Sequence, residues 1–140
     1  MSNFSDAIGG LQTVLQTDIT ELKVYDHPVD SVNEFPAGII VPEAFDPRMT
    51  FSGNSFEGRL RLIVLLFRAS TDEAYDSLYD YIDPTTAGKS IIKVVRDNKT
   101  LNSKVDDAQV VMIENIGRRT LWGGDYVGFD AVIEFIKTVA

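Results

Sequence analysis

The sequence predicts an α+β fold: a mainly antiparallel sheet of about four to five strands, with an N-terminal helix and two central helices packed on one face. Three observations predict it. Phe4, Ile8, Leu11 and Leu15 recur at helical spacing. Residues 56–67 and 126–139 alternate with period two, as half-buried strands do. The link 114–125 is short, which favours hairpin pairing over a parallel crossover.

The first helix carries Ala7 and Val14 beside its main stripe, and Ser2 or Asn3 is placed to cap it. Gly9-Gly10 weakens it by about 1 kcal/mol per glycine relative to alanine. Packing against the body must offset that cost, and close approach to a sheet is one reason to have glycines there. Leu22-Lys23-Val24-Tyr25 is a short strand, ended by Asp26-His27-Pro28. Ala37 to Val41 is a second strand, bracketed by Pro36 and Pro42, which favour an edge or end position.

Residues 43–55 read as the longest irregular stretch, interrupted by Phe45 and Phe51. A loop of this length in a compact domain is usually functional or mobile. Phe56 to Phe67 is the strongest strand. Leu60, Leu62, Val64 and Leu66 share one face, while the other runs from Glu57, Arg59 and Arg61 to Ile63, Leu65 and Phe67. That half-wet pattern suits a central strand protruding beyond its sheet.

Ser70 and Glu73 match a capping box opening a helix that stops at Asp83-Pro84. Ala74, Leu78 and Ile82 form its buried stripe, with Tyr75 and Tyr79 alongside. A second central helix follows Thr86, with Ile91, Ile92, Val94 and Val95, and ends near Asp97-Asn98. Val105 to Ile113 is a strand, Gly117-Arg118-Arg119 a turn, Trp122-Gly123-Gly124-Asp125 another turn, and Tyr126 to Val139 the last strand. Without a linker, repeat or low-complexity tract, residues 1–140 read as one domain.

Composition bounds the function classes. At 44% apolar and 24% charged residues, the chain can bury a core and is not of the disordered kind. No apolar run approaches the ~20 residues that span a bilayer, and the N-terminus lacks the order of a signal peptide, so a protein made and used in the cytoplasm is expected. The absence of cysteine excludes disulfides, thiolate catalysis and cysteine-based zinc sites. The formal charge of −8 divides evenly between the two halves, so there is neither a basic arm nor an acidic tail. A phosphate-gripping nucleic-acid binder needs a basic patch. An acidic wall would instead let DNA slide past.

Catalytic patterns are weak, and no cofactor is expected. Ala87-Gly88-Lys89-Ser90 ends like a P-loop, but the required upstream glycine is replaced by Asp83, and a helix precedes it in place of a strand. It reads as a helix start. The single histidine, His27, lies near Asp26, Asp30 and Ser31, but no nucleophile elbow is present, so it reads as a turn residue. Asp72, Asp76, Asp80 and Asp83 read as a solvated helix face. Asp106 and Asp107 are adjacent in a strand and so point to opposite faces. Arg118, Arg119 and Trp122 have the composition of a protein–protein hot spot. Trp122 could equally cap one end of the core.

Order and motifs together resemble the tail-terminator, or tail-completion, proteins of long-tailed bacteriophages, in the form common among phages of actinobacteria. The matching residues are Leu22-Lys23-Val24-Tyr25-Asp26 with Pro28, then the proline-bracketed strand Pro36 to Pro42. Next come Leu65-Leu66-Phe67-Arg68-Ala69-Ser70 leading into Leu78-Tyr79-Asp80-Tyr81. Last are Gly88, Ser90, Val105-Asp106-Asp107 and Gly124-Asp125-Tyr126-Val127-Gly128. They are structural signatures, spread over most of the chain.

The resemblance implies a structural virion protein and not an enzyme. It would form a homohexameric ring that caps the tail tube, ends tail polymerisation and offers a head-joining surface. Its partners would be itself, the major tail tube protein and a head-completion or stopper protein. DNA would pass through the lumen without specific binding, and assembly would occur in the host cytoplasm. Loop length and aromatic placement select 43–58 and 117–125 as contact segments, with Phe45, Phe51, Phe56, Arg118, Arg119 and Trp122 as interface candidates. The alternatives are another neck or tail protein, such as a head-completion protein or a tube subunit, and a small metal-dependent hydrolase using Asp106 or Asp107.

Overall fold

The structure, a computed structural model, describes residues 3–46, 55–67 and 72–138. Its elements are α1 (Asn3–Asp18), β1 (Lys23–Tyr25), β2 (Ala37–Asp46), β3 (Ser55–Phe67), α2 (Asp72–Ile82), α3 (Ile91–Asp97), β4 (Asp107–Leu121) and β5 (Gly124–Thr138). The strands form one five-stranded sheet in the order β1-β2-β3-β5-β4. Only β1 and β2 run parallel; the other pairs are antiparallel. The α+β class, the strand count and the helix placement thus agree with the sequence.

All three helices pack on one face. Leu11, Leu15, Leu78, Ile91 and Val95 meet the inward set of the central strands, Leu60, Leu62, Val64, Phe129, Ala131 and Ile133, all essentially buried. At ~25 cal/mol per Å² of apolar surface, this alternation drives the helices onto the sheet. The opposite face has a second, smaller cluster: Val32, Ala37, Ile39, Leu65 and Tyr126, covered by Val29 and Phe35 from the 26–36 connection. That cover explains why the outward face of β3 turns apolar after Arg61.

Gly10 has a definite packing reason. A Cβ there would lie 2.1 Å from the carbonyl oxygen of Leu101, so at this position α1 presses on the segment after α3, while its Leu11 and Leu15 face the sheet. Gly9 faces nothing within 4 Å. Ser90 caps α3 by accepting from the Lys93 N–H at 3.1 Å, so the P-loop-like string is a helix start.

Several boundaries differ from expectation. β3 does not protrude: β5 pairs with it from Ser55 to Phe67. Pro42 does not end β2, because a bulge between Pro42 and Ala44 absorbs it and the strand continues to Asp46. The expected loop 43–55 is therefore strand at both ends, and its middle, including Phe51, lies outside the described residues. Gly117-Arg118-Arg119 is not a turn. β4 runs through it to Leu121, with a bulge between Glu114 and Gly117 where Asn115 and Gly117 take positive φ. The strand also begins later than expected, at Asp107. The real turn is Trp122-Gly123, with φ of 50° and 76°, a two-residue hairpin of the kind that matches strand twist. The capping box at Ser70 falls outside the described residues.

Candidate interaction surfaces

The interface candidates separate to opposite ends of the sheet. At the first end Phe45 leaves β2 with half its surface exposed and stacks on Phe56 at 5.0 Å and on Phe4 at 5.9 Å. Phe135 closes the cluster against Phe4 and Phe56. Gly58 makes room for it: a Cβ there would stand 2.6 Å from the Phe135 ring. Phe56 is buried, so it supports the cluster from below and cannot itself be a contact. Phe45 is the outward member.

At the second end Trp122 is 41% exposed and sits edge-on to Tyr126, which stacks in turn on Phe35. The indole therefore covers one end of the smaller cluster while presenting its outer side to solvent. Arg118 pairs with Asp125 across the hairpin, and Asp125 also accepts from the Thr120 hydroxyl at 3.0 Å. Arg118, followed by Thr120, holds the Asp125 carboxyl below its ordinary pKa. Phe135 lies nine positions along β5 from Tyr126, a distance of about 30 Å at strand rise.

Between the ends, the open face carries a charge network that crosses four strands. Arg61 on β3 donates to both oxygens of Glu43 on β2, at 2.7 and 3.0 Å. It also donates to Asp130 on β5 and Glu114 on β4, each at 2.7 Å. Asp130 is 2% exposed and receives Arg119 and, at 2.9 Å, Asn115. The bulge in β4 turns Asn115 and Arg119 toward it. Arg119 is thus spent inside the chain and is not an outward anchor. Its acid partners, Glu43 foremost, stabilise the charged form of Arg61, and Arg61 in turn lowers the Glu43 pKa. A row lower, Arg59 pairs with Glu134 at 3.0 Å.

These charges satisfy one another, and no described buried side-chain polar atom lacks a partner. The network stiffens the sheet but offers no free nucleophile or base. Sequence reasoning placed Arg61 on the half-wet face of its strand and missed its meeting with Asp130. The sequence shows an acid at position 130 within a largely apolar strand, but its burial and its partners depend on strand register.

The remaining candidates are dispersed. His27 is exposed and bonds its neighbour Asp26 at 2.6 Å. Asp106 accepts from the backbone N–H and the hydroxyl of Thr138. Asp76, Asp80 and Asp83 are exposed on or just after α2. Among the described residues, no group of three His, Asp or Glu side chains is placed to hold a metal ion. No described helix is long and apolar enough to cross a membrane. The chain matches no protein-family model, and no curated protein shows significant similarity to it.

Proposed function

We propose that this chain is a ring-forming structural subunit that ends a phage tail tube and joins it to the head. The observation that carries the reading is the two-ended arrangement of exposed aromatic groups. Phe45 stands at one end of the sheet and Trp122 at the other, on a sheet stiffened between them by the Arg61–Asp130 network. A subunit of a terminating ring needs two different end surfaces, one for the last tube ring and one for the head side. The family resemblance in the sequence supplies the identity of those partners. The net charge of −8 suits a lumen that passes DNA without gripping it.

The mechanism is geometric. One ring face is complementary to the tube end and binds it once. The other face does not match a further tube subunit, so growth stops. The test is mass in solution together with negative-stain imaging. A closed ring of about six times the 15.5-kDa chain supports the reading. Added to polymerising tube subunits, such a ring should fix tube length. A monomer at all concentrations, or filaments of the chain alone, would overturn it.

A further inference from the structure

The sheet has two kinds of edge. β1 is sealed: Gln12 of α1 donates to the Val24 carbonyl at 3.0 Å, and the Val24 N–H donates to Gln16 at 3.1 Å. Side chains thus occupy the backbone groups that another strand would seek. Beyond Tyr25 the seal ends, because β1 covers only Ala37 to Ile39 of β2. The outer edge of 40–45 has no strand partner among the described residues, and Pro42 to Phe45 are exposed. On the far side, β4 is the other outer strand, fifteen residues long and, among the described residues, paired with β5 alone.

Natural edges left alone are usually guarded by lysine, proline or short length. β4 has no lysine and no proline, while the open part of β2 carries Pro42, which offers an added strand its carbonyl but no N–H. Six large apolar side chains are exposed among the described residues. Val111, Met112 and Ile116 lie on β4, Trp122 on its hairpin, and Phe45 on the open part of β2; only Tyr79 lies elsewhere.

The two open edges also match in height and direction. Following the pairing across the sheet, Ile40, Leu62, Ala131 and Ile113 lie in one row. Val41, Arg61, Val132 and Met112 form the next row, and Asp46, Glu57, Ile136 and Asp107 end the series. Residues 107–113 of β4 therefore stand level with residues 40–46 of β2. The two strands run antiparallel, so a β2 placed beside β4 by rotation about an axis along the strands continues the antiparallel alternation without a break.

We propose that a second copy of this chain docks here, its β2 residues 40–45 pairing antiparallel with β4 residues 108–113. The contact is heterologous, since two different surfaces meet, and it repeats from copy to copy. Met112 then lies beside Val41 of the next copy on the open face. Closure of the repeat into a ring rests on the reading above; the edge pairing itself does not.

The chain has no cysteine, so engineered cross-links have no background. The experiment uses the full chain with Met112→Cys, combined in turn with Val41→Cys or Ala44→Cys to cover neighbouring registers. Facing strand residues lie ~4.5–5.5 Å apart at Cα, within disulfide reach. Under mild oxidation a double variant should give a ladder of covalent multimers ending at the assembly mass, and each single variant should give none. Met112→Lys should weaken assembly at least tenfold while leaving the circular dichroism spectrum unchanged. A ring seen by native mass without edge cross-links overturns the edge pairing and leaves the ring reading standing. A covalent dimer from Met112→Cys alone overturns it in favour of symmetric β4–β4 pairing. A wild-type chain that stays monomeric at high concentration overturns both.

Discussion

Asp130→Asn is the sharpest test of the open-face network. The substitution keeps volume and one acceptor oxygen but removes the charge, and its new amide donors face guanidinium donors. Arg61 keeps Glu43 and Glu114. Arg119, 18% exposed, has no second ion-pair partner among the described residues. Breaking a buried pair by removing one partner costs about 3–5 kcal/mol. Partial hydration of both arginines puts this case at the lower end, about 3 kcal/mol. For 140 residues, unfolding entropy is on the order of 0.3 kcal/mol per kelvin, so Tm should fall by about 10 °C. Urea unfolding should show a lower midpoint at unchanged slope. A cycle with Arg119→Met should return a coupling of at least about 1 kcal/mol. A loss below about 1 kcal/mol, with no coupling, would refute the claim that the network holds the face together.

Three further outcomes follow from the same geometry. Glu43 has a folded pKa below its ordinary value of 4.5, so its stabilisation is fully present above that pH and is lost as pH falls through the lower folded value. The stability gap between wild type and Glu43→Gln should be widest near neutrality and close on acidification below 4.5; a gap that is flat with pH would contradict the assigned cause. Ser90→Ala removes the cap of α3 and should cost about 1 kcal/mol in chemical denaturation, whereas a phosphate-binding role would show as nucleotide binding lost with the hydroxyl. Gly58→Ala pushes a methyl into the buried Phe135 ring and should cost about 1–3 kcal/mol despite the better strand propensity of alanine; an unchanged Tm would mean that the aromatic cluster yields freely.

The legible parts of the fold were those set by local chemistry. The α1 stripe, the alternation of β3 and the proline after β1 each act within a few residues, and each element formed near its expected place. Two of the failures share one cause: a residue read as punctuation was absorbed by pairing with a long neighbour. Pro42 and Gly117 look like stops in isolation, yet β3 and β5 supply enough ladder on the other side to carry the chain through as bulges. A proline needs only its missing N–H to face away from the partner strand. A glycine at positive φ costs little, so the bulge at Gly117 is inexpensive.

The same logic divides the candidate surfaces. Phe45 and Trp122, picked out as aromatics beside a loop or turn, are exposed in the structure. Phe56 and Arg119 were misassigned because exposure depends on which face the register selects, and one residue of slip reverses it. The Arg61–Asp130 meeting joins residues 69 positions apart, and local pattern carries no information on that pairing. The open edges were hidden for a related reason. An edge is defined by what does not pair with it, and only the strand order shows that β4, rich in β-forming residues and free of lysine and proline, lies outermost. An unguarded strand of that length is a hazard in a monomer and an asset in an assembly. At the opposite edge two glutamines occupy the outward backbone groups of β1, so the fold closes one edge and leaves β4 without a strand neighbour on its outer side among the described residues.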